Sequence, residues 1–192
     1  MKDRILLDEI LQTNRLFLRK RTLDDNAFIF EATRYEGFNE GMPWNAPETI
    51  KEMEDRYYKS LTDWINGTSF TFTIVEINQN HRVGMISIRK SENANVWNIG
   101  YWTHPKKQNM GYMSEAIIEV LNFGFTRLNA ISIEAQYALW NIQSEKILIK
   151  SGMKKVEYIE KGFIKNDKWI EENRMEITNE EWKKRRRTTA ST

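Results

Sequence analysis

Apolar positions along this chain switch between a period near two and a period near 3.6. Arg15-Leu-Phe-Leu-Arg-Lys-Arg21 alternates apolar and charged residues and predicts a first strand, with residues 1–13 ahead of it as a leading helix or arm. Thr22 precedes Asp24 and Asp25, a helix-start signal for a helix through Phe28, Ile29 and Ala32. Gly37, Gly41, Pro43 and Pro47 then break the chain, so Met42-Pro-Trp-Asn-Ala-Pro47 is a loop. Ile50, Met53, Tyr57, Leu61 and Trp64 return at helical spacing and predict a second helix, from near Glu48 to a stop at Asn66-Gly67.

Two β-rich runs follow, Phe70–Ile77 and Val83–Arg89, joined by the polar stretch Asn78–His81; they read as a hairpin. Trp97-Asn-Ile-Gly-Tyr-Trp-Thr103 is a fourth strand ended by Pro105. From Gly111 the period lengthens: Met113, Ala116, Ile117, Val120, Leu121 and Gly124 share one helix face. Ile131, Ile133 and Ala135 alternate with Ser132 and Glu134 as a fifth strand. Strand, helix and strand in that order form a βαβ unit, which makes the fourth and fifth strands parallel. A short helix over 141–150 stops at Gly152, and two last strands near 153–160 and 168–177 flank a turn at Asn166-Asp167.

The 192 residues suit one compact domain, and 40% hydrophobic with 29% charged residues is an ordinary globular balance. The chain has no cysteine, which excludes thiol catalysis and disulfides, and only His81 and His104, too far apart for a histidine metal site. Neither a signal-peptide core nor a membrane-length apolar run is visible, so a soluble, cytoplasmic protein without membrane contact is expected. The net charge of +2 is unevenly placed. Without Lys183–Arg187, 24 Lys and Arg face 27 Asp and Glu, a balance of −3. Residues 1–182 read as a single domain and 183–192 as a basic C-terminal tail: a frayed, solvated end, or a weak electrostatic contact with RNA or the ribosome. The mildly acidic body favours a cationic amine as partner.

The chemically informative stretch is Pro105-Lys-Lys-Gln-Asn-Met-Gly-Tyr-Met-Ser-Glu-Ala116, between a strand and a helix start. A helix N-terminus offers unpaired N–H groups and the positive end of a dipole, an anion site suited to pyrophosphate. Gly111 lets the backbone approach closely, although one glycine in such a turn is also an ordinary turn residue. Gln108-x-x-Gly111-x-Met113 resembles the Arg/Gln-x-x-Gly-x-Gly/Ala motif of the GNAT acetyltransferases, and the order of elements agrees from about residue 14 to Trp182. Met42-Pro-Trp44, Ile99-Gly-Tyr-Trp102, Gly111-Tyr-Met-Ser-Glu-Ala116, Asn141-x-x-Ser144, Ser151-Gly-Met153 and Asn166-Asp-Lys-Trp169 resemble the branch that acetylates ribosomal-protein N-termini. Met113 departs from the family's small residue; its place on the apolar stripe points it into the core.

The resemblance implies a mixed α/β fold: a twisted, mainly antiparallel sheet with helices on both faces, whose parallel fourth and fifth strands splay where acetyl-CoA enters. It implies that Gln108, Asn109, Met110, Gly111, Tyr112, Met113 and Ser114 cradle the pyrophosphate. Backbone atoms of Trp102 and Thr103, with His104 a further candidate, would lie beside the pantetheine arm that Asn141 also holds. Ser144 becomes the candidate proton donor to the leaving thiolate in a direct transfer. From the residues alone, Asn141 and Ser144 also read as a helix cap, Trp102 as core, and His104 as an exposed loop-end residue. The implied acceptor is a primary amine, the N-terminus of a protein such as a ribosomal protein, with a polyamine, amino sugar or antibiotic, or a non-catalytic acyl-CoA-binding module, as alternatives. Glu36, Glu40, Glu92 and Glu134 are open candidates for the base, and Tyr35, Phe38, Trp44, Tyr57 and Trp97 for an acceptor cleft or the core. Monomer and homodimer stay open.

Overall fold

The computed structural model describes residues 7–190. In chain order the elements are β1 (Ile10–Gln12), β2 (Leu16–Lys20), α1 (Asn26–Ala32), α2 (Glu52–Ile65), β3 (Ser69–Glu76), β4 (Arg82–Lys90), β5 (Val96–Thr103), α3 (Tyr112–Thr126), β6 (Ser132–Ala138), α4 (Ile142–Ser151), β7 (Lys154–Lys165), β8 (Lys168–Thr178) and α5 (Asn179–Ala190). The strands form one sheet in the order β1-β2-β3-β4-β5-β6-β8-β7. Every neighbouring pair is antiparallel except β5 and β6, which the α3 crossover makes parallel. The mixed, mainly antiparallel α/β fold expected from the sequence is the fold observed.

The parallel pair is open at one end. Its register runs from Val96 opposite Ser132 to Ile99 opposite Ala135 and stops there. Beyond that point β5 stays paired with β4 through Thr103, and β6 stays paired with β8 through Ala138. Each strand is therefore held on its outer side while the backbone facing the gap has no sheet partner. An open edge of this kind is a place for another chain of amides to bind.

The core lies mainly between the sheet and α3. Ile117, Val120 and Leu121 of α3 are fully buried against Leu18, Phe72, Ile86 and Ile99. Each such side chain contributes roughly 1.5–3 kcal/mol, so packing rather than intrinsic propensity holds this helix. A smaller cluster forms on the opposite face, where Ile29 of α1 and Met53 of α2 meet Met85, with Phe28 and Trp102 alongside. Met85 and Trp102 alternate with Ile86 and Tyr101 along their strands, which is why they serve the other face. Asp25 anchors this second layer. Its carboxylate is fully buried and accepts from Arg19 Nη2 (2.8 Å), Arg82 Nε (2.6 Å), Thr73 Oγ1 (2.8 Å) and the Thr22 amide (2.9 Å). These bonds hold its pKa far below the usual carboxylate range against the opposing effect of burial.

Several expectations change. The leading segment contains strand β1, not a helix, because Ile10–Gln12 pairs with Phe17–Arg19; residues 1–6 lie outside the described residues. Helix α2 starts at Glu52 rather than near Glu48, since the Glu52 carboxylate accepts the amides of Glu48 (3.1 Å) and Thr49 (3.0 Å) and holds that stretch as a turn. The basic run is not a frayed end: Lys183–Arg187 lie within α5, where buried Trp182 stacks on Phe125. Arg185 donates to the Lys150 carbonyl and Arg186 to Asn122 Oδ1. Among the described residues, no helix is long and apolar enough to cross a membrane.

Candidate active site

A cleft of about 810 Å³ opens at the gap between β5 and β6, on the face that carries α3 and α4. The connection from β5 into α3 forms one wall. Asn109 and Gly111 both adopt left-handed conformations, at φ 61° and 77°. No side chain caps α3 at Gly111, so its first-turn N–H groups have no intrahelical partner and stay open to an anion. A Cβ at Gly111 would meet only Arg15 Nη2, at 3.5 Å. Arg15 orders this turn from outside: its Nε pairs with Glu115 (2.7 Å), its Nη1 donates to the Met110 carbonyl (3.2 Å), and its guanidinium lies over the Tyr112 ring.

The structure brings Trp102, Thr103, Gln108, Asn109, Gly111 and Tyr112 to the lining of this cleft, together with Met113, Ser114, Asn141 and Ser144. Met110 is the exception: its side chain is exposed away from the cleft, and its carbonyl serves Arg15. Met113 is buried in the main core, so its long side chain leaves the turn free. Asn141 caps α4 by accepting the Ser144 amide at 3.1 Å. Ser144 Oγ lies 2.8 Å from the Tyr101 hydroxyl. Burial pushes the Tyr101 phenol well above its ordinary value, so it keeps its proton at neutral pH.

His104 is not the exposed loop-end residue expected. It is buried, stacked on Phe28 and edge-on to Tyr35, with Nδ1 accepting the Lys106 amide and Nε2 lying 3.5 Å from Glu31. Among the four carboxylates considered for a base, only Glu36 lines the cleft. Glu134 is tied to Arg174 at 2.9 Å, and Glu92 sits in the β4–β5 turn at the other end of β5. Among the five aromatics, Tyr35 and Phe38 line the cleft and Trp97 is core, packed on Phe70; Tyr57 lies under Arg21.

A second groove of about 810 Å³ lies on the opposite face, between α2 and the sheet, and Trp44 lines it. The two clefts share Ile99, Gly100, Tyr101, Trp102 and Gln136, so they meet across the open end of β5 and β6. Glu172 of β8 lines this groove, only 9% exposed, and burial raises its carboxyl pKa above the ordinary value. Its carboxylate lies across Gly162, where a Cβ would fall 2.2 Å from Oε2. Sequence reasoning missed Tyr101, Arg15 and Glu172. Tyr101 had a readable signal, since it shares the core-facing parity of Ile99; the other two are ordinary charged residues in a charged sequence.

Comparison with known proteins agrees with this geometry. A family model described as acetyltransferase (GNAT) domain matches residues 15–154. The uncharacterised N-acetyltransferase YnaD of Bacillus subtilis is 27% identical over 90% of this chain and 98% of its own. A GNAT-family acetyltransferase from Bacillus anthracis superposes with a TM-score of 0.80 at 25% identity, covering 90% of this chain and 99% of that one. The ribosomal L7/L12 alpha-N-protein acetyltransferase RimL, solved with coenzyme A, reaches 0.81 at 15% identity, covering 88% and 98%. Spermidine N-acetyltransferase from Vibrio cholerae, solved with CoA and spermine, reaches 0.78 at 19%, covering 88% and 99%.

Proposed function

This chain belongs to the GNAT acetyltransferase family and is an acetyl-CoA-dependent N-acetyltransferase; from that premise we propose that it acetylates the N-terminal amine of a protein, a ribosomal protein being the favoured case. The observation that carries the reading is the meeting of two clefts across the open end of β5 and β6. One suits a phosphate-bearing cofactor, and the other is a groove of about 810 Å³ that offers room for an acceptor. A fold neighbour that acts on a ribosomal-protein N-terminus supports the choice, and one that acts on spermidine keeps a small-amine acceptor as the alternative.

When bound, acetyl-CoA supplies an acyl thioester and a thiolate leaving group. The open α3 amides around Gly111–Ser114, with Gln108 and Asn109 beside them, balance phosphate charge. The gap-facing side of the Gly100–Thr103 backbone, which has no strand beside it, pairs with amides as an added strand would, and one of its N–H groups polarises a carbonyl placed against it. Asn141 and Trp102 wall the arm between them. Ser144 Oγ, held by the Tyr101 hydroxyl, offers a hydrogen bond on the thiolate side, and Tyr101 keeps its proton and orients that hydroxyl. On the acceptor side, Glu172 takes the proton that the amine must lose, since burial has made its carboxylate more basic than a solvated one. The reaction is a direct transfer, with no covalent intermediate on the enzyme.

The test is thiol release from acetyl-CoA by the purified protein with peptide and small-amine acceptors. Release with peptides at higher kcat/KM than with spermidine or amino sugars supports the reading. Release with small amines alone moves the acceptor to the alternative, and no release with any acceptor removes the N-terminal reading. Lys183–Arg187 would touch RNA as a helical face, and salt-independent binding of an RNA oligonucleotide removes that contact.

A further inference from the structure

The groove between α2 and the sheet is lined by more arginines than carboxylates. Arg21, Arg56 and Arg89 all line it, and none is ion-paired with a carboxylate among the described residues. Lys59 is different, since it is neutralised by Asp63 at 2.7 Å. Arg21 is the most informative of these. It is only 6% exposed, and its Nη2 is held by neutral oxygens alone, Asn26 Oδ1 (2.6 Å) and the Met53 carbonyl (2.9 Å). Among the described residues its Nε has no hydrogen-bond partner. The neighbouring acid that could have balanced it, Asp25, is consumed by Arg19 and Arg82. A buried guanidinium whose nearby carboxylate, Asp25, is bonded to two other arginines is costly; burial, with the Arg56 charge nearby, lowers its pKa to about 10 against the attraction of Asp25. It still carries its charge at neutral pH.

Arg89 extends the same field toward the open strands. Its Nη2 lies 3.0 Å from where a Cβ of Gly100 would be, so the guanidinium rests on the backbone where the two clefts meet. Its single side-chain bond is a long one to Asn98 Oδ1, at 3.4 Å. Arg56 closes the far side, over the Trp44 ring and bonded to the Asn45 carbonyl. The only uncommitted acid lining the groove is Glu172. Three guanidiniums against one carboxylate make this a poor berth for a polycation and a good one for an acceptor that is itself anionic.

We propose that this groove selects amine acceptors bearing a carboxylate or phosphate close to the amine, with the amine toward Glu172 and the anion toward Arg21, Arg56 and Arg89. The proposal rests on the acceptor entering by this groove, and it narrows the N-terminal reading to peptides whose first positions after the amine are acidic. Guanidinium groups suit this role because their forked donors meet carboxylate and phosphate oxygens two at a time.

The experiment compares matched peptides, Ser-Asp-Glu-, Ser-Gln-Gln- and Ser-Lys-Arg- on one common tail, with O-phosphoethanolamine and spermidine as small acceptors. It measures kcat/KM by thiol release and, independently of turnover, peptide binding by anisotropy of a C-terminal dye. The acidic peptide should exceed the neutral one by roughly tenfold for each ion pair gained. The preference should shrink as ionic strength rises. In Arg56→Gln and Arg89→Gln the acidic-to-neutral ratio should fall toward one, with melting temperature reporting that each variant is folded. Preference for phosphoethanolamine over both peptides and spermidine assigns the anion to a small phosphorylated amine and keeps the proposal. Equal kcat/KM for acidic and basic peptides, a preference for spermidine, or variants that lower every acceptor alike would overturn it, even if acetyl transfer itself is robust. If no acceptor turns over, the anisotropy ratio decides the anion question by itself.

Discussion

Replacing Gly111 by valine tests the cofactor loop most directly, because its effects on folding and on binding have separate causes. Gly111 sits at φ 77°, where an L side chain costs about 1–2 kcal/mol and a β-branched one somewhat more. Crowding adds little in the free protein, since the nearest atom to a new Cβ is Arg15 Nη2 at 3.5 Å. At roughly 2–4 °C per kcal/mol for a chain of this size, the melting temperature should fall by about 2–8 °C and the fold should survive. Binding is a different matter, because a phosphate held by the open α3 amides must approach the Gly111 backbone closely, and an added side chain would crowd that approach. Losing one hydrogen bond to a charged phosphate costs about 1.5–3 kcal/mol, which is roughly 10- to 150-fold in the Kd for coenzyme A. Titration calorimetry measures this without needing the acceptor. Gly111→Asn divides the two effects: asparagine tolerates the left-handed region, as Asn109 already does at 61°, so stability should return while affinity stays low. Wild-type affinity in both variants would refute the loop as the phosphate site.

The remaining tests probe the acid, the base and the anchor. Ser144→Ala should lower kcat about 10²-fold with little change in the Kd for coenzyme A, and Tyr101→Phe should lower it less; an unaltered rate leaves Ser144 as part of the cap. Glu172→Gln should lower kcat and raise stability at neutral pH. The folded-state pKa of Glu172 is raised, so its favourable protonated form is present at low pH and lost as pH rises through that pKa; a stability gain equal at pH 4 and pH 7 contradicts this. Gly162→Ala should displace the buried Glu172 side chain, whose Cγ lies 2.5 Å and Oε2 2.2 Å from the new Cβ, lowering both kcat and the melting temperature. Asp25→Ala should cost about 3–5 kcal/mol by urea denaturation, because it strands two arginines. Asp25 has a depressed pKa, so its contribution is present above the ordinary carboxylate range and lost as pH falls; a variant whose deficit is the same at pH 3 and pH 7 refutes the assignment.

The elements that could be read ahead of the structure were those whose pattern had one physical cause. Met113, Ala116, Ile117, Val120 and Leu121 share a face because α3 packs against a sheet, and the same stripe placed the crossover that makes β5 and β6 parallel. Asn166-Asp167 was legible because two consecutive left-handed residues in a tight hairpin favour Asn and Asp, and both adopt positive φ. Elements set by distant contacts were not legible. Three residues of β1 carry no usable period, and only pairing with β2 makes them a strand. Helix α5 reads as a loose basic end by charge, yet buried Trp182 and the bonds of Arg185 and Arg186 fix it to the body. His104 looked exposed beside a proline, and it is covered by Phe28 and Tyr35, which lie about 70 residues earlier.

The site divides along the same line. The residues proposed for its cofactor half are nearly contiguous, from Thr103 to Ser114 with Asn141 and Ser144 close behind, and they line one cleft. The proposed acceptor half draws Arg21 from the end of β2, Arg56 from α2, Arg89 from β4 and Glu172 from β8, and no spacing links those positions. Composition pointed the other way: a body at −3 favours a cationic partner, whereas the charges lining this groove favour an anion-bearing one. The two statements concern different lengths. Exposed charges farther apart than about 8–10 Å are screened at physiological salt, so the body's balance has little weight inside a narrow groove. An arginine held there by hydrogen bonds to neutral oxygens, with no carboxylate bonded to it, keeps an attraction for an incoming anion. On the proposed reading, acceptor choice follows the three guanidiniums lining this groove rather than net charge. Mutating surface carboxylates away from the groove should leave the ratio between acidic and basic peptides unchanged, and a ratio that tracks net charge would return the argument to composition.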